Sequence, residues 1–274
     1  MTTELKIFDV RHGFCAALLS ENNLILIDCG HDSEGFRPLE WLYDKGYRHI
    51  DSLIVSNFDQ DHISDIKAIR DNFTVGSLAL NPTVSPESLR NIKINGGPIS
   101  DQMEILIRSM ADPELNPVSR FPYNVNDTEM DFYCVYFPHE TDTNNLSLVT
   151  FIQFGTSYII YPGDLERSGW LKLLDCPDFV AKLRRVNVFI ASHHGRISGY
   201  CEEVFEYCTP EIVIISDKER TFTTQEHDKY SRHTTGVNFG TALAPSIRKV
   251  LTTRNDGHLT LHKIGETTYV KSGL

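Results

Sequence analysis

Ser56-Asn57-Phe58-Asp59-Gln60-Asp61-His62 follows the apolar run Leu53-Ile54-Val55 and sets two carboxylates, an amide and an imidazole side by side. A short apolar run bounded by polar residues reads as a buried strand, and the polar stretch as the turn from that strand into a helix. Strand ends are rigid, and the loops that leave them can carry polar side chains into a shared cleft. Two readings of Asp61 are open: a helix cap accepting backbone N–H groups, or a metal ligand.

Three other segments place ligand-capable residues after apolar runs. They are Tyr161-Pro162-Gly163-Asp164-Leu165, Ala191-Ser192-His193-His194-Gly195, and a late loop with His227, Tyr230 and His233. Each has a plain alternative. Gly163-Asp164 serves as an ordinary turn, and a lone histidine is commonly structural. Their recurrence after successive strands favours convergence on one site, which a divalent ion requires because no short segment can surround it.

The intervening chain reads as strands at 4–10, 14–19 and Leu24–Ile27, with a hairpin at Asn22-Asn23 and a break at Asp28-Cys29-Gly30. A helix over 36–45 closes at Gly46. A buried strand, 51–55, leads through the acidic loop to a helix over about 62–71. The stretch 76–128, rich in Pro and Gly breaks and helical near 99–110, reads as an insertion shaping a substrate opening or as a structural flap. Strands are expected at 131–137, 146–154, 157–161, 186–191 and Ile212–Ile215, and a helical segment at 166–183. In a helix at 200–208, Cys201, Val204, Phe205 and Cys208 would share a buried face. Lys249–Thr253 and His258–His262 read as a terminal hairpin across Asn255-Asp256-Gly257. Clustered strands separated by helices predict an α/β fold with two sheets and helices outside, a four-layer αβ/βα sandwich, over a single domain, 1–274.

The chain has 274 residues, 41% of them hydrophobic, and a net charge of −11. That charge argues against sequence-independent coating of nucleic acid but allows a local basic rim, for which Lys182, Arg184, Arg185, Arg196, Lys218 and Arg220 are candidates. No apolar run reaches the roughly 18–20 residues of a membrane span, so no membrane partner is expected. Residues 1–6, MTTELK, carry neither a basic start nor an apolar signal core, so a secreted address is not expected. The six cysteines form no CxxC pair; a cytoplasmic protein with reduced thiols is expected.

As an ordered set these motifs resemble the metallo-β-lactamase superfamily, and within it the soluble hydrolase domain of ComEC-type DNA-uptake proteins. Asp9-Val10-Arg11-His12-Gly13 is similar to that group's DVGQG, Leu26–Gly30 to LIDTG, Ser56–His62 to SHPDADH, and Asn144–Val149 to NNxSLV. Pro162–Glu166 is similar to TGDLE, Ser192–Gly195 to PHHGS, and Thr253–Thr260 to T-x-x-DG-x-I. The similarity runs in one order over nearly the whole chain outside about 76–128.

The resemblance implies a metal site. Asp59 would bind a first ion, Asp61 and His62 a second, Asp164 would bridge, and His193 or His194 would complete the second site. Asp28 would brace the loop from beneath. Ser192 and His233 would face substrate or assist the leaving group, with His227 as the alternative in the late loop. Asn57 stands where the family has its first histidine, and an amide oxygen is the weaker ligand. Phe58 replaces a common proline. One or two divalent ions are implied, manganese or zinc, with a carboxylate-rich set also admitting magnesium. The activity implied is metal-dependent hydrolysis of a phosphodiester in DNA, RNA or a nucleotide, with Asp61 orienting the attacking water. The alternative is a degenerate relative that binds a nucleotide or protein partner without turnover.

Overall fold

The computed structural model describes residues 3–20, 23–117, 123–125, 128–218, 227–241, 244–264 and 267–274. Two sheets form its centre. The first runs, edge to edge, through Thr267–Ser272, Leu259–Ile264, Glu4–Ile7, Ala16–Leu19, Leu24–Ile27, Ser52–Ile54, Ser77–Ala79 and Asn116–Pro117. The second runs through Val250–Thr252, Ile212–Ile215, Val188–Ile190, Ser157–Tyr161, Val149–Phe154, Thr128–Tyr133 and Tyr123–Val125. Strands adjoining the metal-loop segments pair in parallel: Ser52–Ile54 between Leu24–Ile27 and Ser77–Ala79, and Val188–Ile190 between Ser157–Tyr161 and Ile212–Ile215.

Alternation along the strands creates the layers, because successive side chains point to opposite faces. Ile25 and Ile27 join a core between the sheets with Ile159, Tyr161, Val188, Ile190, Ile212 and Ile214. Leu24 and Leu26 turn the other way, onto Leu39, Leu42, Ile66, Ile69 and Leu106 of the helices. On the second sheet Ile160, Phe189 and Val213 pack outward against Trp170, Leu173 and Phe179. Strands buried on both faces read as continuous apolar runs. The architecture is the four-layer αβ/βα sandwich.

Several boundaries differ from those expected. The helix expected over 62–71 is two helices, Gln60–Ile63 and Ile66–Asn72. A continuous helix would need the Asp61 carbonyl to accept from Asp65 N–H. It accepts from Phe14 N–H instead (3.2 Å), and Asp65 N–H donates to the Cys29 carbonyl (3.0 Å). The segment 166–183 likewise divides into Arg167–Leu174 and Pro177–Leu183, at a proline that lacks the N–H to continue a helix. The helix expected at 200–208 is the 3₁₀-helix Glu202–Glu206; Cys201, Val204 and Cys208 are buried, and Phe205 is only partly buried against the same core.

The stretch expected as an insertion, about 76–128, starts inside the first sheet: Ser77–Ala79 pairs with Ser52–Ile54, and Thr128 opens a strand of the second sheet. Between them the helices Pro86–Asn95 and Asp101–Met110 pack outside the first sheet, through Leu89, Met103 and Leu106.

The expected hairpin across Asn255-Asp256-Gly257 is not one. Val250–Thr252 pairs with Ile214 and its neighbours in the second sheet, whereas Leu259–Ile264 pairs with Glu4–Ile7 and Thr267–Ser272 in the first. The link between them is the short helix Thr253–Asp256, ended by Gly257 at φ 69°. The expected Asn22-Asn23 turn lies partly outside the described residues, although Ser20 and Asn23 pair across it. Among the described residues no helix is long and apolar enough to cross a membrane.

Phe58, at the family's proline position, is 1% exposed and belongs to the core beneath the first sheet's helices. It anchors the acidic loop by burial. Phe58→Ala should therefore lower unfolding free energy by about 3–5 kcal/mol, measured by chemical denaturation.

Candidate metal centre

The acidic loop is seated by backbone contact. Gly13 and Gly30 lie against the Asp61 carbonyl, where a Cβ on Gly30 would come within 1.5 Å of that oxygen and one on Gly13 within 2.3 Å. Cys29 N–H donates to the His62 carbonyl (2.8 Å). The glycines of the two early motifs thus admit the loop carrying Asp61 and His62. Across the cleft, His193 and His194 adopt left-handed backbone angles, φ 49° and 55°. Such angles cost a non-glycine residue on the order of 1–2 kcal/mol each, a strain typical of functional turns.

Asp61, His62, Asp164 and His194 converge, each offering one ligand atom within 4.8 Å of all the others. His62 Nε2 is 3.1 Å from Asp164 Oδ1, and His194 Nε2 is 3.2 Å from Asp61 Oδ2 and 3.7 Å from Asp164 Oδ1. Ligands about 2.1 Å from a tetrahedral ion sit roughly 3.4 Å apart, so these separations fit one ion. Both Nε2 atoms are buried and neither makes an aligned hydrogen bond. Both face the carboxylates of Asp164 and Asp61, and an ion at the centre would bind the nitrogens and the carboxylates together. The residues fit a divalent metal.

The rest of each imidazole is committed outward. His194 Nδ1 meets the Ser216 carbonyl at 3.0 Å. His62 Nδ1 meets Asp28 Oδ2 at 2.8 Å, the carboxylate–histidine pairing that orients metal ligands. Asp28 is fully buried and also accepts from Ser56 N–H (2.7 Å), Ser56 Oγ (2.5 Å) and Tyr161 Oη (2.5 Å). It therefore ties the loop to the strand ends of both sheets.

Burial would raise the carboxyl of Asp61, but the imidazoles of His194, His62 and His12 outweigh it and hold it well below the usual range. Asp164, fully surrounded, is brought to about 2 against the same burial effect, by His62, His194 and His193. In the opposite sense, burial disfavours the charged imidazoles of His62 and His194, yet Asp164 with Asp28 or Asp61 pushes both above the ordinary histidine value.

The remaining candidates fall outside this cluster. Asn57 is buried; its Oδ1 accepts from Asp59 N–H (2.7 Å) and its Nδ2 donates to Ser147 Oγ (3.1 Å) and Asn144 Oδ1 (3.3 Å). Asp59 pairs with Lys93 Nζ at 2.5 Å. His193 lies beside the cluster, 3.8 Å from Asp164 Oδ2, with Ser198 Oγ (2.9 Å) on Nδ1 and Arg196 Nη1 (3.1 Å) on Nε2. Ser192, expected to face substrate, is fully buried; its hydroxyl donates to the carbonyls of Gly163 and Leu165 and braces that loop. His233 stacks on Phe205 (centroids 4.4 Å apart) and meets Tyr200 Oη at 2.8 Å, within an aromatic group rather than the cluster. His227, half-buried, pairs with Asp228. Of the proposed basic rim, Lys182 pairs with Asp131, Arg185 with Gln153, and Lys218 with Asp32. Arg220 lies outside the described residues.

Two neighbours of the cluster carried no role in the sequence reading. His12 Nε2 approaches Asp61 Oδ2 at 3.3 Å, with its ring 5.4 Å from that of His194. Its place in the first motif was the available signal. Lys93 had none, since it lies in the stretch of weakest pattern.

No protein-family profile matches the chain. Over 196 residues, 70% of its length, it is 24% identical to ComE operon protein 3 of Bacillus subtilis (strain 168), and the match spans 23% of that protein. Its fold is similar to that of the metallo-beta-lactamase fold protein YhfI from Bacillus subtilis, with TM-score 0.55 and 11% identity over 95% of this chain and 100% of the other. It is also similar to a diphosphatase from the PhnP family, with TM-score 0.52 and 11% identity over 96% and 99%.

Asp28→Asn should weaken divalent-metal affinity by about 10–100-fold, read by competition with a chromogenic chelator. In the metal-free protein the raised imidazoles hold protons that an ion must displace. Affinity should then rise with pH and fall on acidification, by roughly tenfold per pH unit for each proton displaced. Calorimetric titration in buffers of different ionisation enthalpy measures the release directly.

Proposed function

Because the chain has the metallo-β-lactamase fold, we propose that it is a metal-dependent hydrolase acting on phosphodiester bonds of nucleic acid or nucleotides. The observation that carries the reading is the four-residue cluster, in which two buried imidazole Nε2 atoms and the carboxylates of Asp61 and Asp164 converge. Two imidazole nitrogens and two carboxylate oxygens suit zinc or manganese better than magnesium, which favours an all-oxygen shell. The resemblance carried by the ordered motif set supports the phosphodiester assignment, and the match to ComE operon protein 3 agrees with that resemblance. The diphosphatase of the same fold agrees with phosphorus chemistry.

A divalent ion there supplies Lewis acidity and makes water a nucleophile near neutral pH. Asp61, the one partly exposed member of the four, would orient the attacking water. His12, 3.3 Å from Asp61 and itself about one-third exposed, is placed to hold or pass the proton. Burial holds its imidazole below the ordinary value, with Asp61 acting against that.

The commitment of Asn57 to internal hydrogen bonds supports a second reading, a degenerate protein that binds a nucleotide or protein partner. A chain that takes up no metal yet folds and binds such a partner would establish it.

Cleavage of single-stranded DNA and of bis(p-nitrophenyl) phosphate, with manganese or zinc supplied, should fall to background in Asp164→Ala and in chelator. Undiminished cleavage in that variant overturns the assignment. His12→Ala should keep its metal and lose about 10²–10⁴-fold in turnover, by steady-state kinetics with elemental analysis alongside.

A further inference from the structure

The resemblance implies up to two ions, with Asp59 and a bridging Asp164 at the first, where Asn57 stands in place of the family's first histidine, and with His193 or His194 completing the second. Asn57, Asp59 and His193 do not fit an ion. Asn57 Oδ1 is taken by Asp59 N–H at 2.7 Å, and its Nδ2 is turned towards Ser147 and Asn144. Asp59 Oδ1 already faces a cation, Lys93 Nζ at 2.5 Å, with Thr143 Oγ1 at 3.3 Å. His193 Nε2 accepts from Arg196 Nη1 at 3.1 Å, and its Nδ1 faces Ser198 Oγ at 2.9 Å and Glu166 Oε1 at 3.3 Å. Both ring nitrogens of His193 are thus engaged by groups outside the four-residue cluster, whereas the Nε2 atoms of His62 and His194 face the carboxylates within it.

The two ends of this half of the site, Asn57 and His193, are connected. Asn57 Nδ2 reaches Asn144 Oδ1 (3.3 Å), Asn144 Nδ2 reaches Glu166 Oε1 (3.5 Å), and Glu166 meets His193. One polar chain thus runs from Asp59, with its ammonium, to His193, with its guanidinium. Asp164 divides the two regimes: Oδ1 faces His62 and His194, and Oδ2 faces His193.

We infer that the centre is mononuclear, and that Lys93 and Arg196 supply in fixed side-chain charge what a second ion would supply. The inference rests on the metal centre of the preceding reading and on no choice of substrate. Electrostatics favours it. A carboxylate that already has an ammonium at contact distance gains little from a divalent ion that must first displace it, and Asn57 offers no compensating strong ligand. Lys93 is held at Asp59 and Arg196 at His193, so both sit as fixed positive charges on residues that the resemblance assigns to metal binding.

The test is stoichiometry, not activity. Protein loaded with a tenfold excess of zinc or manganese and desalted should carry one equivalent by native mass spectrometry and elemental analysis. Crystals should show one anomalous peak, among Asp61, His62, Asp164 and His194. Two equivalents, or a peak beside Asp59, overturns the inference and leaves the hydrolase reading standing. No metal at all removes the centre and the inference with it. Lys93→Glu removes the ammonium and adds a carboxylate beside Asp59 without changing a fully buried side chain. It should raise the count from one to two; a count that stays at one shows that Lys93 is not what excludes the second ion and overturns its role.

Discussion

Everything at the centre depends on the Asp28 carboxylate, which no water reaches and which accepts from Ser56 N–H, Ser56 Oγ, Tyr161 Oη and the His62 ring. A buried carboxylate without such donors would cost several kcal/mol; with four it becomes a rigid hub. Its donors come from the acidic loop and from a strand of the opposite sheet. One side chain thus sets the height of the loop, the rotation of His62 and the spacing of the two sheets at this point. Asp28 itself holds φ 55°, a left-handed conformation that aspartate tolerates better than most residues.

Around that hub the site is assembled with close backbone contact on one side and strain on the other. Gly13 and Gly30 let the Asp61 carbonyl approach, and the same carbonyl is diverted to Phe14, ending the first helical turn. On the far side, two consecutive left-handed histidines send one ring inward and the other to Arg196 and Ser198. Adjacent residues of one motif thereby acquire different tasks.

Much of this was legible because it is local. Continuous apolar runs such as Leu24–Ile27 mark strands buried on both faces, and the polar residues following Val55, Tyr161 and Ile190 mark the ends that converge. What escaped is non-local. Asn255-Asp256-Gly257 suits a hairpin turn and a helix end equally, and only distant partners in two different sheets decide between them. Ser192 sits in a motif of ligands, but its hydroxyl is consumed by the Gly163 and Leu165 carbonyls. Lys93 reaches Asp59 from a helix whose sequence gives no hint of that contact. The substitution at Asn57 was visible in the sequence; the hydrogen bonds that occupy it were not.

The four converging residues come from different halves of the sandwich. Asp61 and His62 follow a strand of the first sheet, Asp164 and His194 strands of the second. An ion among them is therefore also a cross-link between the sheets, formed only when both are in register. Binding of that kind adds to folding free energy by mass action, about 2.7 kcal/mol when free metal is a hundredfold above its dissociation constant. The persistence of the folded chain would then track the metal supply around it, and starvation for the ion would loosen the sandwich at the seam where its two sheets meet.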